Sequence, residues 1–142
     1  AAEIGQIAGK DARHELGLAL GDICGKGISA ALLMANLQAT LRNNVGKLVE
    51  HSKDSSPEAG VNGGASQVVT ILNQHIYRYT SANKFASLFY AVYDDVNLAL
   101  TYCNAGHNPP LYFGDHGVRR LAAGGTVVGI FPDAEYEQET VQ

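Results

Sequence analysis

Residues 16–31, LGLALGDICGKGISAA, contain an apolar run, a glycine-rich turn and the start of an alanine-rich segment. The apolar run ends at Gly21-Asp22, which predicts that Asp22 stands at the end of a strand, at the rim of a sheet. Gly25 and Gly27 allow the backbone to come close to a ligand, and a helix that starts after them offers free N–H groups. Two interpretations stay open. Asp22 either satisfies backbone donors in a tight turn, as most Asp residues beside glycines do, or belongs to a metal or phosphate site.

The period of the apolar residues changes after this turn. From Ile28 to about His51 they recur at steps of three and four, which predicts a helix with one buried face. The residues of that face are Leu33, Leu37, Leu41, Val45 and Leu48. Residues 52–64 are predicted as a loop, within which Ser56-Pro57-Glu58 fits the start of a helical turn. A second helix is predicted over residues 65–80, and its apolar positions at helical spacing are Val68, Val69, Leu72, Ile76 and Tyr79.

The remaining apolar residues follow the period of two that is typical of strands. Residues 85–93 are apolar on both faces, which predicts a central strand that is covered on both sides. Asp94-Asp95-Val96-Asn97 predicts a hairpin turn, which fits solvated carboxylates better than a cation site. The other predicted strands cover residues 4–8, 16–20, 98–104, 111–113, 118–121 and 127–131. Strands, two helices and an antiparallel meander together predict an α+β layered fold.

The composition limits the class of protein. The 142 residues are 46% hydrophobic and 17% charged, which is typical of one folded domain. The longest apolar run, residues 30–35, is too short for a membrane span or a signal peptide. A net charge of -4 argues against nucleic-acid binding. Cys24 and Cys103 fit a reducing compartment. We therefore expect one cytoplasmic domain over residues 1–142 that contacts neither nucleic acid nor a membrane. Because the sequence starts without a methionine, we also expect it to be part of a longer chain.

Other motifs carry less information. A phosphate-binding P-loop is excluded because Leu20 and Gly27 stand where that loop requires glycine and Ser or Thr. The spacing of Cys103 and His107 lacks the CxxC partner of a zinc site, which favours buried apolar cysteines. The segment from Ala105 to Pro110 predicts a rigid corner between two strands. Its His107 and Asn108 either hydrogen-bond the backbone or point to a neighbouring site, and the two interpretations are compatible.

Residues 21–34, GDICGKGISAALLM, resemble the signature of SpoIIE/RsbU-type metal-dependent (PPM, type-2C-like) serine/threonine protein phosphatases. Three further matches follow in family order: Leu72-Asn73, FASLFYAVYD at residues 85–94, and the corner at residues 105–110. Val128-Gly129-Ile130 fits the family's usual strand after that corner. The resemblance implies a four-layer α-β-β-α sandwich, in which two antiparallel sheets are flanked by helices.

The resemblance also implies a metal centre with two Mn²⁺ or Mg²⁺ ions at one rim of the sandwich. Asp22 would be the catalytic carboxylate that bridges both ions, and the Ile23 carbonyl would be a backbone ligand. Residues that would line this site are Gly25, Lys26, Gly27, His107 and Asn108. The family's Gly-Gly-Asp motif upstream and Thr-Asp-Gly motif downstream are not found in this sequence. We therefore expect a chain that is truncated at both ends.

The implied activity is hydrolysis of phosphoserine or phosphothreonine on a regulatory protein, such as an anti-sigma-factor antagonist, in bacterial signalling. The two predicted helices would correspond to the family's regulatory switch element, controlled by an attached sensor or receiver domain, and a homodimer is a further expectation. The alternative is a catalytically incomplete phosphatase-like module that binds a phosphoprotein or transmits a signal without turnover. The two hypotheses differ in whether the complete protein carries the remaining metal carboxylates.

Overall fold

Strands precede and follow a pair of helices along the chain. The computed structural model describes residues 3–8, 14–51, 64–80, 84–115 and 117–142. The helices are α1 (Ile28–His51) and α2 (Ala65–Tyr79). The strands are β1 (Glu3–Ala8), β2 (His14–Ile23), β3 (Ala86–Asp94), β4 (Ala99–Ala105), β5 (Leu111–Gly114), β6 (Gly117–Arg120), β7 (Gly124–Gly125) and β8 (Glu139–Val141). This order confirms the predicted α+β organisation.

The central strand of the larger sheet is β3. The strand order is β1-β2-β3-β4-β7, and β8 also pairs with β4. Neighbouring strands are antiparallel, except that β4 and β7 are parallel. β2 runs along β3 from Glu15 opposite Asp94 to Ile23 opposite Ala86. This register brings the end of β2 and the start of β3 to the same rim of the sheet.

A sharp corner separates the larger sheet from the β5–β6 sheet. The chain leaves β4 at Gly106, whose φ of +66° lies in the left-handed region. A Cβ atom at this position would lie 2.5 Å from Val127 Cγ1, so only glycine fits without a shift. Pro109 and Pro110 follow, and proline cannot donate to a ladder. The predicted corner is therefore present, and it divides the strands into two sheets.

Both helices pack on one face of the larger sheet. The helix residues in this core, each at most 5% exposed, are Leu33, Leu37, Val68, Val69, Leu72 and Ile76. Leu41 is half-buried against the same core, so the predicted apolar face of α1 is confirmed this far. The side chains of Val45 and Leu48 lie outside the described part of the chain. The face of the helices that the sequence predicts as apolar is therefore the face that packs on the sheet.

A second apolar core lies on the opposite face of the sheet. Its buried residues are Phe89, Ala91, Tyr102, Leu121 and Val141. Leu18 and Leu20 of β2 pack against it, half-buried. Alternate residues of β3 contribute to the two cores, because successive side chains of a strand point to opposite faces. The predicted apolar coverage of both faces of β3 is confirmed.

Two details of the sequence prediction are wrong. Tyr79, which the helical spacing predicts to be buried, is 71% exposed. The centre of its ring lies 4.8 Å from the centre of the His75 ring. Residues 127–131 do not form a strand, apart from a single bridge between Val128 and Ala86. Gly129, with a φ of +97°, turns the chain directly after that bridge. Such a backbone turn cannot continue a strand.

The short strand β8 lies where the sequence predicts none. Ser56-Pro57-Glu58 lies outside the described residues. In the described part of the chain, no helix is both long and apolar enough to cross a membrane.

Candidate active site at the rim of the sheet

Asp22 lies near the end of β2, as predicted, on the face of the sheet opposite the helices. Leu20, two positions earlier on β2 and therefore on the same face, packs on the second core. Ile23, the next residue, is buried in the core beneath the helices. The Asp22 carboxylate is exposed, and within the described part of the chain it makes no hydrogen bond or ion pair. The interpretation that Asp22 satisfies backbone donors in a tight turn is therefore not supported. The carboxylate is free to bind a cation.

The turn after β2 is held by backbone hydrogen bonds and by two glycines in the left-handed region. Cys24 N–H donates to the Phe85 carbonyl at 2.9 Å. The φ angles of Gly25 and Gly27 are +113° and +82°, where a side chain would be strained. Ala31 N–H donates to the Gly27 carbonyl at 3.1 Å and closes the first turn of α1. Residues 24–27 are all exposed, so the turn is open to solvent.

A lysine that the sequence did not single out lies over this turn. Lys84 Nζ donates to Ser29 Oγ at 3.2 Å, in the first turn of α1. The same nitrogen is 3.2 Å from the position that a Cβ atom would take at Gly25. Lys26, the predicted lysine, is exposed and makes no ion pair in the described part of the chain. The structure thus places a second ammonium group at the turn, where a positive charge favours anions.

The Ile23 carbonyl is free of the ladder with β3. Ile23 lies opposite Ala86, but the N–H and the carbonyl of Ala86 both bond to Val128, at 3.0 and 2.9 Å. Ile23 and Ala86 are therefore a pair without mutual hydrogen bonds, and the polar backbone groups of Ile23 point away from β3. A carbonyl in this position is a backbone oxygen donor next to Asp22.

His107 is brought to the same rim by the corner after β4. Its backbone N–H donates to Asn104 Oδ1 at 2.8 Å, and its ring Nδ1 lies 2.8 Å from Ser87 Oγ. Ser87 is the residue directly opposite Asp22 in the ladder of β2 and β3. The sequence missed Ser87, because its role depends on a contact with a residue 20 positions away. Asn108 is exposed and makes no hydrogen bond in the described part of the chain.

The two cysteines do not form a metal site with His107. Cys103 is buried beneath the helices, and its burial raises the pKa of the thiol to about 12. The prediction of a buried apolar cysteine is confirmed for Cys103 and wrong for Cys24, which is exposed on the turn after β2. That turn runs over the surface, so its side chains have no core to enter.

The oxygen donors at the rim fit a hard divalent cation. Asp22 offers a carboxylate and Ile23 a carbonyl, which are the ligand types that Mn²⁺ and Mg²⁺ prefer. Among the described residues, no group of three His, Cys, Asp or Glu side chains could hold a metal ion. The described part of the chain therefore supplies only some of the ligands of such a site.

The family profile described as Stage II sporulation protein E (SpoIIE) matches residues 12–142. The chain belongs to the SpoIIE family. It is 34% identical over 128 residues to the phosphoserine phosphatase RsbU of Bacillus subtilis (strain 168), in an alignment that covers 89% of this chain and 34% of RsbU. The chain thus spans about a third of the length of RsbU.

Two solved structures share the fold of this SpoIIE-family chain. The PP2C phosphatase domain of Bacillus subtilis SpoIIE, solved with a fragment of its regulatory domain, has a TM-score of 0.68 at 16% identity and covers 99% of this chain and 37% of that chain. The structure of the RsbU and RsbW domains of a Mycobacterium tuberculosis protein has a TM-score of 0.65 at 21% identity and covers 99% of this chain and 35% of that chain. These similarities confirm the PPM-type fold that the resemblance implied.

Membership of the SpoIIE family implies a general dependence on divalent metal ions. The rim around Asp22 is the candidate for that centre, because an exposed carboxylate, a carbonyl outside the ladder and an imidazole meet there. The residues of the candidate site are Asp22, Ile23, Gly25, Lys26, Gly27, Lys84, Ser87 and His107.

Proposed function

We propose that this chain is part of a protein phosphatase that hydrolyses phosphoserine or phosphothreonine with the help of Mn²⁺ or Mg²⁺ bound at Asp22 and the Ile23 carbonyl. The observation that carries the proposal is the position of Asp22. Its carboxylate is exposed at the end of β2 and has no partner in the described part of the chain. A carboxylate that forms part of a structural turn would instead accept hydrogen bonds from neighbouring N–H groups.

The residues at the rim have separate tasks in this reaction. Asp22 holds the cations by charge, and the Ile23 carbonyl adds a neutral oxygen donor on the same strand. When bound, two divalent ions supply an activated water and neutralise charge on the phosphoryl group. Lys84, whose ammonium lies between the Gly25 turn and Ser29 of α1, adds a positive charge at the turn that follows Asp22 and Ile23. Cys103 is buried and protonated, so its thiol does not serve as a nucleophile.

The nature of the substrate and the regulation belong to the same proposal. The name phosphoserine phosphatase of RsbU supports phosphoserine as the group that is hydrolysed. We propose that it is carried by a regulatory protein, such as an anti-sigma-factor antagonist. The neighbouring RsbW domain in the Mycobacterium tuberculosis structure supports an attached regulatory domain in the complete protein. We also propose that residues 1–142 belong to one domain of a longer chain, and that this domain works in the cytoplasm as a homodimer.

The substitution Asp22→Asn in the full natural polypeptide tests this function. We expect Mn²⁺-dependent phosphate release from a phosphoserine peptide to fall at least about a hundredfold, because the metals supply most of the transition-state stabilisation. Asp115→Asn is the matched control, since it makes the same chemical change in the exposed turn of the β5–β6 hairpin. Near-normal turnover of the Asp22 variant would contradict the proposal.

One observation favours the alternative, a phosphatase-like module without turnover. The described part of the chain contains no cluster of three metal-binding side chains. In that case the full natural polypeptide would bind a phosphoserine peptide more tightly than the unphosphorylated peptide and would release no phosphate with either metal. Metal-dependent release of phosphate would reject this alternative.

A further inference from the structure

Ser87 and His107 form a hydrogen-bonded pair beside Asp22. Ser87 Oγ and His107 Nδ1 are 2.8 Å apart, and both side chains are half-buried. The backbone of His107 is fixed by Asn104 Oδ1 at 2.8 Å. The preceding Gly106 cannot be replaced without moving Val127. The ring of His107 is therefore held in place by contacts on both sides of the corner.

The hydrogen bond between Ser87 and His107 can form with either tautomer of a neutral imidazole, because a hydroxyl both donates and accepts. A serine hydroxyl donates one hydrogen and accepts others. Among the described residues, His107 Nδ1 is the only acceptor within hydrogen-bond distance of Ser87 Oγ. When the Ser87 hydroxyl donates to Nδ1, this bond satisfies its one hydrogen within the described part of the chain. In a neutral imidazole, the proton then resides on Nε2, at the other side of the ring.

The ladder of β2 and β3 fixes the face of the sheet on which the Ser87 hydroxyl, and with it the His107 ring, lies. Asp22 and Ser87 are directly opposite each other, and side chains of opposed residues lie on the same face of a sheet. That face is the one opposite the helices, because Phe89, two residues after Ser87, belongs to the second core. His107 Nε2 makes no hydrogen bond in the described part of the chain. With its proton on Nε2, the ring offers a donor on the face that carries the Asp22 carboxylate.

We propose that His107 binds the phosphoryl group of the substrate through its Nε2–H group, and that Ser87 is the positioning residue that fixes the tautomer and orientation of the ring. This inference rests on the proposed function of the Asp22 site. It gives that site a neutral donor for a phosphoryl oxygen, in addition to any bound cation. A hydrogen bond between a neutral donor and a charged acceptor is stronger than one between neutral groups.

The tautomer can be measured without enzymatic activity. In the 15N-labelled 142-residue chain at about pH 8, where an ordinary imidazole is neutral, long-range 1H–15N correlations should show His107 protonated on Nε2. Ser87→Ala should move the Nδ1 resonance, and Ser87→Thr, which keeps the hydroxyl, should restore it. A phosphoserine peptide should shift the Nε2 resonance, and the unphosphorylated peptide should not. Protonation on Nδ1, or the same response to both peptides, would overturn the inference.

Two substitutions of His107 separate binding from proton transfer in the full natural polypeptide. His107→Gln places an amide N–H near the position of Nε2, whereas the shorter side chain of His107→Asn reaches only the position of Nδ1. The Asn variant should raise the KM for a phosphoserine peptide about tenfold to a hundredfold, as expected for the loss of one hydrogen bond to a charged group. The Gln variant should keep a KM within about threefold of the unmodified protein.

The kinetic outcomes also distinguish this inference from the proposed function. Unchanged KM values in both variants, or a fall in kcat alone in the Gln variant, would overturn phosphoryl binding by His107. If the Asp22→Asn variant still released phosphate at the normal rate, the metal site at Asp22 would be contradicted. The KM values of the two His107 variants would still decide whether His107 binds the phosphoryl group. If the full natural polypeptide releases no phosphate at all, the proposed function fails, and the response of the Nε2 resonance to the phosphoserine peptide decides the inference.

Discussion

The two faces of the larger sheet differ in what their side chains do. On the helix-covered face, the sheet residues Ala86, Leu88 and Ala105 are apolar and at most 1% exposed. On the opposite face, the rim carries Asp22, Ser87 and His107, which are polar and reach solvent. Both faces are built from the same strands, because side chains alternate along a strand. Ile23 in the core and Asp22 at the site are therefore neighbours in sequence with different tasks.

The comparison predicts that stability and chemistry respond to different substitutions. On the helix-covered face, Leu37→Ala should lower the free energy of unfolding by about 2–5 kcal/mol, because it leaves a cavity in a packed core. Leu32, on the same helix, is 66% exposed, so Leu32→Ala is the matched control and should cost less than about 0.5 kcal/mol. Urea unfolding of both variants measures the difference. A loss below about 1 kcal/mol for Leu37→Ala would mean that this face is not the core.

Asn73, a buried polar residue of α2, holds the turn at Gly129 that follows the bridge between Val128 and Ala86. Asn73 accepts a hydrogen bond from Gly129 N–H and donates one to the Phe131 carbonyl, both at 2.8 Å. Asn73→Ala removes both bonds and should cost about 1–3 kcal/mol. Gln74→Ala, at the exposed neighbouring position, should be close to neutral. Equal unfolding midpoints for the two variants would contradict a structural role for Asn73.

The periodic parts of the fold were predictable from the sequence. Three- and four-residue spacing located α1 and α2, and apolar alternation located β3, because a buried face leaves a regular pattern. The end of the apolar run at Gly21 also placed Asp22 at the rim. Each of these features depends on residues that are close together in the chain.

Contacts between distant residues account for what the sequence did not show. Residues 127–131 have the composition of a strand, but their turn is held by Asn73 from a different element. β8 is too short and polar to give a pattern. Lys84 and Ser87 enter the candidate site only through Ser29 and His107, which lie 55 and 20 positions away. No local pattern carries such pairs.

The smallest expected effect concerns β8. Glu139 accepts hydrogen bonds from the Tyr102 hydroxyl and, at 2.6 Å, from Arg119. Both lower the pKa of Glu139 below its ordinary value of 4.5. The folded state thus favours the ionised carboxylate, so its stabilisation is present above pH 4.5 and is lost as the pH falls through the lowered pKa.

We expect Glu139→Gln to cost less than about 1 kcal/mol at neutral pH, because water screens this partly exposed ion pair. The difference from the unmodified chain should shrink in acid below pH 4.5. Unfolding by urea over a series of pH values measures it. A difference that stays constant throughout the acid range would show that the carboxylate charge does not stabilise β8.

The central claim is that Asp22 is the metal-binding carboxylate of this face. The most direct test is a titration of the 15N-labelled 142-residue chain with Mn²⁺, a paramagnetic ion that broadens the amide signals of nearby residues. We predict weak binding, because one carboxylate and one carbonyl leave most ligand positions to water. Broadening should be centred on Asp22, Ile23 and Ser87 and should disappear in Asp22→Asn. Broadening that persists in this variant, or tight binding of two ions in calorimetry, would contradict the account and point to other carboxylates, such as Glu3, Asp11 or Asp133, as ligands.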